Sequence, residues 1–224
     1  MSRSAVLFDF DGTLADTIPL IVASYRHTLT APDQPAPTEA VIRSWIGRPL
    51  LETLEAHRPG EGALLVDRYR EHSTAHHDTL IAVVPGAADL VTALQERQVP
   101  VGVVSSKRAD MVRHGMRVTE LPHVDVVVGL LETTAHKPDP APLLEGARRL
   151  GIDPADCVYV GDAVVDVQAA HAAGMAAVAV TWGAGEEDAL RALAPDAVAR
   201  DVDELRTALT GLLELDGGSS APTS

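Results

Sequence analysis

At 224 residues the chain has room for one large domain, or for a core domain with a smaller companion. Hydrophobic residues make up 46%, enough for a buried core, and the formal net charge is −14. Such a charge excludes a surface built for nucleic acid or anionic membranes, which are bound through Lys and Arg, and an anionic small molecule would need local positive charge.

The amino terminus, Met1-Ser2-Arg3-Ser4, runs straight into a short apolar stretch and then into acids, without the apolar core and cleavage site of a signal peptide. No run reaches the length that spans a bilayer, so a cytoplasmic protein is expected. Ala5–Phe8 is the first candidate strand. Residues 17–83 then read as several helices: Ile18, Ile21, Val22, Tyr25 and Leu29 share one face. Leu50, Leu51 and Leu54, and then Leu64, Leu65 and Tyr69, suggest two more, with breaks at Pro35, Pro37, Pro59 and Gly60. His72, His76, His77 and Asp78 can be drawn as a metal site, but without further ligands at fixed spacing they read as a solvated helix face.

From there the rhythm is regular. Candidate strands at 100–105, 124–128, 157–160 and 176–181 are rich in valine and lack strict alternation, as parallel strands covered on both faces do. Cys157, the only cysteine, sits in one of them and reads as a small buried hydrophobe. Asp139 and Pro140 look like the N-cap and first residue of a helix carrying Leu143, Leu144, Ala147 and Leu150, which Gly151 ends. Gly174 ends another, with Val164, Val167 and Ala170. Trp182, after the last of these strands, fits either packing or a site rim. Asp201 and Glu204 resemble a capping box before Leu205, Leu209, Leu212 and Leu213. Residues 217–224 read as a flexible Gly/Ser tail.

Repeated strand–helix units predict a doubly wound α/β fold with a parallel sheet. The first two strands are separated by roughly 90 residues, whereas a βαβ unit needs only about 30. The excess predicts a small helical domain (residues 17–83) inserted into a core of residues 1–16 and 84–216, placed to act as a lid, with a merely elaborated crossover as the alternative.

Ligands of such sheets bind at the carboxyl ends of the strands. There the sequence offers Asp9-Phe10-Asp11-Gly12-Thr13, Ser105-Ser106-Lys107, and Gly161-Asp162 with Asp166 close behind, while Lys137 precedes a helix. Carboxylates converging on one edge need a cation, and an oxygen-only set with phosphate nearby favours Mg²⁺. A metal-bound carboxylate could attack phosphorus while its neighbour protonates the leaving oxygen and later activates water. Asp11-Gly12 taken alone also fits an ordinary hairpin turn.

The stretch VLFDFDGTLADT, followed in order by SSK, HKPDP and GDAVVD, closely resembles the haloacid dehalogenase-like hydrolase superfamily, and most of all its phosphoglycolate-phosphatase-like group. That resemblance implies an aspartyl-phosphate on Asp9 with Asp11 as general acid and base. It implies Mg²⁺ held by the Asp9 carboxylate, the Asp11 backbone carbonyl and Asp162, with Asp166 in support. Ser105 would hydrogen-bond the phosphoryl group, Ser106 would help through its amide, and Lys137 would neutralise phosphate and nucleophile.

Asp11 argues against a dehalogenase, since a halide leaves without a proton, and residues 17–83 lack the lysine of the phosphonate-cleaving members. A sugar-phosphate mutase shares both aspartates and stays open. A phosphate-binding regulator without turnover is the rival of another class. For the leaving group, Arg48 in Ile46-Gly47-Arg48-Pro49-Leu50 could pair with a second anionic group or be a solvated arginine. Thr17 lies near the site or caps the first helix. The expected substrate is a small anionic phosphorylated metabolite such as phosphoglycolate, with inorganic pyrophosphate as the alternative.

Overall fold

The computed structural model of the protein describes residues 3–31 and 35–214; the Gly/Ser tail expected at 217–224 lies outside them. The main sheet has six parallel strands in the order β5-β4-β1-β6-β7-β8. They are β1 (Ala5–Phe8), β4 (Val101–Val104), β5 (Val126–Val128), β6 (Cys157–Gly161), β7 (Ala176–Val180) and β8 (Ala197–Ala199). The predicted strands are present, each matched to within about two residues at its ends. β8 went unread because Ala-Val-Ala is too short for a periodic signal.

Helices cover both faces and account for the valine-rich, non-alternating strands. Val6, Phe8, Val103, Val158 and Val178 pack on one side under α5 (Ala87–Glu96) and α10 (Val202–Leu212). Leu7, Val104, Tyr159 and Ala177 pack on the other under α7 (Ala141–Leu150) and α8 (Val164–Ala172). Cys157 is fully buried there.

Helix ends follow the sequence with two local differences. α7 starts one residue late: Pro140 is its N-cap, and Asp139 accepts a hydrogen bond from Ala141 N at 2.9 Å. At α10 Asp201 caps Glu204 N as expected, but the Glu204 carboxylate reaches back to Arg200 N, one residue before the N-cap. Gly151 ends α7 in the left-handed region at φ 72°.

A second, two-stranded antiparallel ribbon joins β2 (Ala15–Asp16) to β3 (Ala82–Val83). Between these strands lie α1 (Ile18–Leu29), α2 (Glu39–Arg43), α3 (Leu50–His57) and α4 (Gly62–Leu80). They enclose an apolar cluster of their own, built on Ile21, Tyr25, Leu29, Ile42, Leu54 and Leu65. Leu51 and Leu64, read as part of the apolar faces, are exposed instead. The helices contact the core above the strand ends: Ser106 Oγ donates to Gly47 O at 2.8 Å and Arg43 Nη1 to Gly183 O at 3.0 Å.

Chain connections leave β1 toward β4 and β5, then return to β6 on the other side. The strand order therefore reverses between β1 and β6, where a crevice opens at the carboxyl ends. Among the described residues, no helix is long and apolar enough to cross a membrane.

Candidate active site

Asp9 is the first residue past β1, and its N–H still donates to Val160 O at 2.8 Å, so the sheet fixes it. Phe10 then turns into the core while Asp9 and Asp11 both line the cavity. The chain folds back at once: Leu14 and Ala15 N–H groups donate to Phe10 O, and Gly12 N–H to Ala15 O. Gly12 has φ 76°, and a Cβ there would collide with the Asp162 carboxylate. The Asp11-Gly12 turn thus leads into the β2–β3 ribbon at the root of the insertion.

Asp162 follows β6 directly across the crevice. Thr13 Oγ1 donates to its Oδ1 at 3.0 Å and Ala184 N to its Oδ2 at 2.7 Å. Asp166, in the first turn of α8, uses both oxygens: Oδ2 accepts from Ala163 N and Oδ1 from Lys137 Nζ at 2.6 Å. Lys137 Nζ also lies 3.1 Å from Asp9 Oδ2 and donates to the Tyr159 hydroxyl at 3.0 Å.

Electrostatics decide what this cluster can hold. Burial pushes the Asp9 carboxyl up, Lys137 opposes this, and Asp166 and Asp11 add to it; the net is a rise from 3.8 to about 6. Burial, then Asp166 and Asp9, hold Asp162 well above the carboxylate range. Burial works against charge on Lys137 too, but Asp166, Asp9 and Tyr159 outweigh it and raise its pKa well above that of a free lysine. Ligand oxygens of Asp9, Asp162 and Asp166 lie within 4.8 Å of one another, all buried. Three carboxyl groups against one ammonium make a hard, oxygen-only environment that fits a divalent cation, whose charge would offset the burial and mutual repulsion that raise Asp9 and Asp162. The Asp11 carboxylate is not one of these three, and its Oδ1 lies 2.5 Å from Lys107 Nζ.

The crevice opens into a cavity of about 320 Å³ between core and insertion. Of the residues singled out in the sequence, Asp9, Asp11, Ser105, Ser106 and Arg48 line it. Lys137, Asp162 and Asp166 sit buried beneath it. Ser105 N–H donates to Val128 O, and its hydroxyl accepts from Lys107 N. Thr17 does not line the cavity. It stands at the N-cap of α1, fully buried, and its hydroxyl has no hydrogen-bond partner, so it does not cap through its side chain either.

Several residues went unread. Lys107 was visible in the Ser105-Ser106-Lys107 triplet but received no role; its ammonium also lies 5.5 Å above the centre of the Phe10 ring. Arg70 lines the cavity on α4 beside Tyr69, as does Arg108 beyond β4. Tyr25, Trp45 and Tyr69 form an aromatic wall, with Tyr25 edge-on to both others. Trp182 donates to Thr13 O at 3.2 Å and braces the turn from outside the cavity. The histidine run is a solvated face only in part: His76 and Asp78 are exposed as expected, His72 is half-buried and His77 is not exposed. His72 stacks between His27 and His76, and His77 is buried against the core.

Residues 6–180 match the family described as haloacid dehalogenase-like hydrolase. The chain belongs to that family. A pyrophosphatase PpaX from Bacillus pumilus is 35% identical over 205 residues, covering 90% of this chain and 94% of that protein. Its counterpart from Bacillus velezensis is 33% identical over 206 residues, with the same coverage. Among solved structures, a predicted phosphoglycolate phosphatase from Haemophilus somnus 129pt superposes with a TM-score of 0.82 at 21% identity, covering 92% of this chain and 98% of that one. A haloacid dehalogenase-like family hydrolase from Streptococcus pneumoniae gives 0.82 at 24%, covering 92% and 97%. The protein is an enzyme, a haloacid dehalogenase-like hydrolase.

Proposed function

We propose that this haloacid dehalogenase-like enzyme is a Mg²⁺-dependent phosphomonoester hydrolase that works through a phosphorylated Asp9. The observation that carries the reading is the buried Lys137 ammonium bridging Asp9 and Asp166 beside Asp162, directly below a cavity that Asp9 and Asp11 line. When bound, Mg²⁺ would be held by Asp9, Asp162 and the Asp11 carbonyl, and would supply charge neutralisation for the phosphoryl oxygens.

The side chains divide the work. Asp9 Oδ1 accepts from Phe10 N at 2.7 Å and Oδ2 faces Lys137, so the nucleophile is held in one rotamer. Attack forms an Asp9–phosphorus bond and breaks the bond to the leaving oxygen, which takes a proton from Asp11. Asp11 then removes a proton from the water that hydrolyses the acyl phosphate. Ser105 and the Ser106 amide steady the phosphoryl oxygens, and Lys107 holds Asp11 at the cavity edge. The inserted helices act as a lid that keeps bulk water out.

For the leaving group, Arg48 and Arg70 line the cavity from the insertion, and neither side chain has an ion-pair partner among the described residues. Two such cations favour a substrate with a second anionic group, and phosphoglycolate is the first candidate. Pyrophosphate is the second reading, favoured by the PpaX relatives, which are named pyrophosphatases. Steady-state rates for phosphoglycolate, pyrophosphate and a neutral aryl phosphate, each with and without Mg²⁺, test the proposal. Turnover is expected only with the metal, and fastest for one of the two doubly anionic substrates. Absence of metal-dependent turnover on all three would remove the hydrolase mechanism.

Arg48→Ala is expected to raise KM for the doubly anionic substrate about tenfold, the value of one charge-assisted hydrogen bond, while KM for the aryl phosphate changes less than about twofold. Equal changes for both substrates would show that Arg48 does not select.

A further inference from the structure

The end of α4 meets the core at a second cluster of metal-ligating side chains. His77 and Asp78 occupy its last turn, just before β3 returns the chain to the main sheet. His114 stands opposite on α6 (Ala109–Val118), a helix of the core. Both imidazoles aim a nitrogen at the same carboxylate oxygen: His77 Nδ1 and His114 Nε2 each lie 2.8 Å from Asp78 Oδ1. Their rings are 4.9 Å apart and tilted by 43°, so the two nitrogens converge while the rings diverge.

We propose that His77, Asp78 and His114 form a second metal site, distinct from the carboxylate cluster, that takes a borderline divalent cation such as Zn²⁺. All three ligand atoms lie within 4.8 Å of one another, and modest side-chain rotation brings them around one ion. Two imidazole nitrogens and one carboxylate oxygen match Zn²⁺ or Co²⁺ rather than Mg²⁺, which prefers oxygen alone. Coordination through His77 Nδ1 and His114 Nε2 needs each ring neutral with its one proton on the opposite nitrogen, so a proton held toward Asp78 moves to that nitrogen or is released to solvent when the ion binds. Asp78 and His114 are open to solvent, so water completes the coordination.

One ligand is already immobile. His77 is 1% exposed and fixed beside Gly115, where a Cβ would collide with the Phe10 ring. Phe10 stands between Asp9 and Asp11 in the chain, so the site adjoins both the root of the insertion and the catalytic turn. An ion there ties α4 to α6 and restrains the insertion where it joins the core.

The test uses the full chain without a histidine tag, in excess Mg²⁺ to fill the carboxylate cluster. Zn²⁺ is titrated by calorimetry, Co²⁺ by visible absorption, and Tm is measured with and without Zn²⁺. One equivalent should bind to the natural protein and raise Tm. His114→Ala and Asp78→Asn, both at exposed positions, should each weaken binding more than about tenfold and remove the Tm rise. His72→Ala, in the neighbouring histidine stack, should bind as the natural protein does. No binding, unchanged binding in His114→Ala, or loss in His72→Ala would overturn the proposal.

Discussion

Asp9→Asn is expected to lower kcat by at least about 10⁴-fold on every substrate, the scale on which loss of a covalent nucleophile is felt. The change is nearly isosteric and keeps an acceptor for Phe10 N, which lies 2.7 Å from Asp9 Oδ1, so the turn before Gly12 should keep its shape. The amide cannot form an acyl phosphate, so intact-mass measurement during turnover should find no phosphorylated chain. Asp11→Asn separates the second role. It leaves Asp9 able to attack, so the phosphorylated chain should accumulate, most clearly with a good leaving group that needs no proton. Normal turnover by Asp9→Asn would refute the covalent route. Failure of Asp11→Asn to accumulate a phosphorylated chain would move the acid/base role to another residue. The two variants should also differ in stability: Asp9 carries a carboxyl raised to about 6 by burial, and removing that charge relieves a cost of folding.

Much of this site was legible because the doubly wound fold places chemistry where strands stop. Asp9 and Asp162 follow β1 and β6, and their neighbourhood could be inferred from the strand pattern before any contact was known. What escaped depended on tertiary contacts. Tyr159 lies inside a strand, where an aromatic reads as core, yet its hydroxyl accepts from Lys137 and donates to Val104 O at 2.9 Å. The burial of His77 is set by α6, far away in sequence, so helix periodicity could not report it. The β2–β3 ribbon has two residues per strand, too few for any pattern, although it roots the insertion. Thr17 shows the opposite error. A threonine at a helix start suggests a cap or a ligand, but tight packing leaves its hydroxyl without either role.

Lys137→Met is expected to be the most destabilising single change at the site. The methionine fills much the same volume, but it leaves Asp9 and Asp166 facing each other without the ammonium 3.1 and 2.6 Å away. Breaking a buried pair from one side costs about 3–5 kcal/mol, because the remaining charges stay desolvated and unpaired. For a chain of this size that corresponds to a fall in Tm of roughly 6–20 °C. Turnover should fall as well, but loss of activity in an unfolding protein would say little about mechanism. The double variant Lys137→Met with Asp166→Asn resolves this. The introduced side-chain amide can still accept through its oxygen from Ala163 N, which the native Asp166 binds at 2.9 Å, so the start of α8 keeps its partner while one of the two repelling charges is gone. Tm should recover by at least half, measured by calorimetry, whereas kcat should remain as low as in the single variant. That outcome would separate the two functions of Lys137: balancing charge in the fold, and presenting a cation to Asp9 and the phosphoryl group. If activity returned together with stability, Lys137 would be a structural counter-ion only, and the positive field for phosphate would have to come from Lys107 and the bound cation.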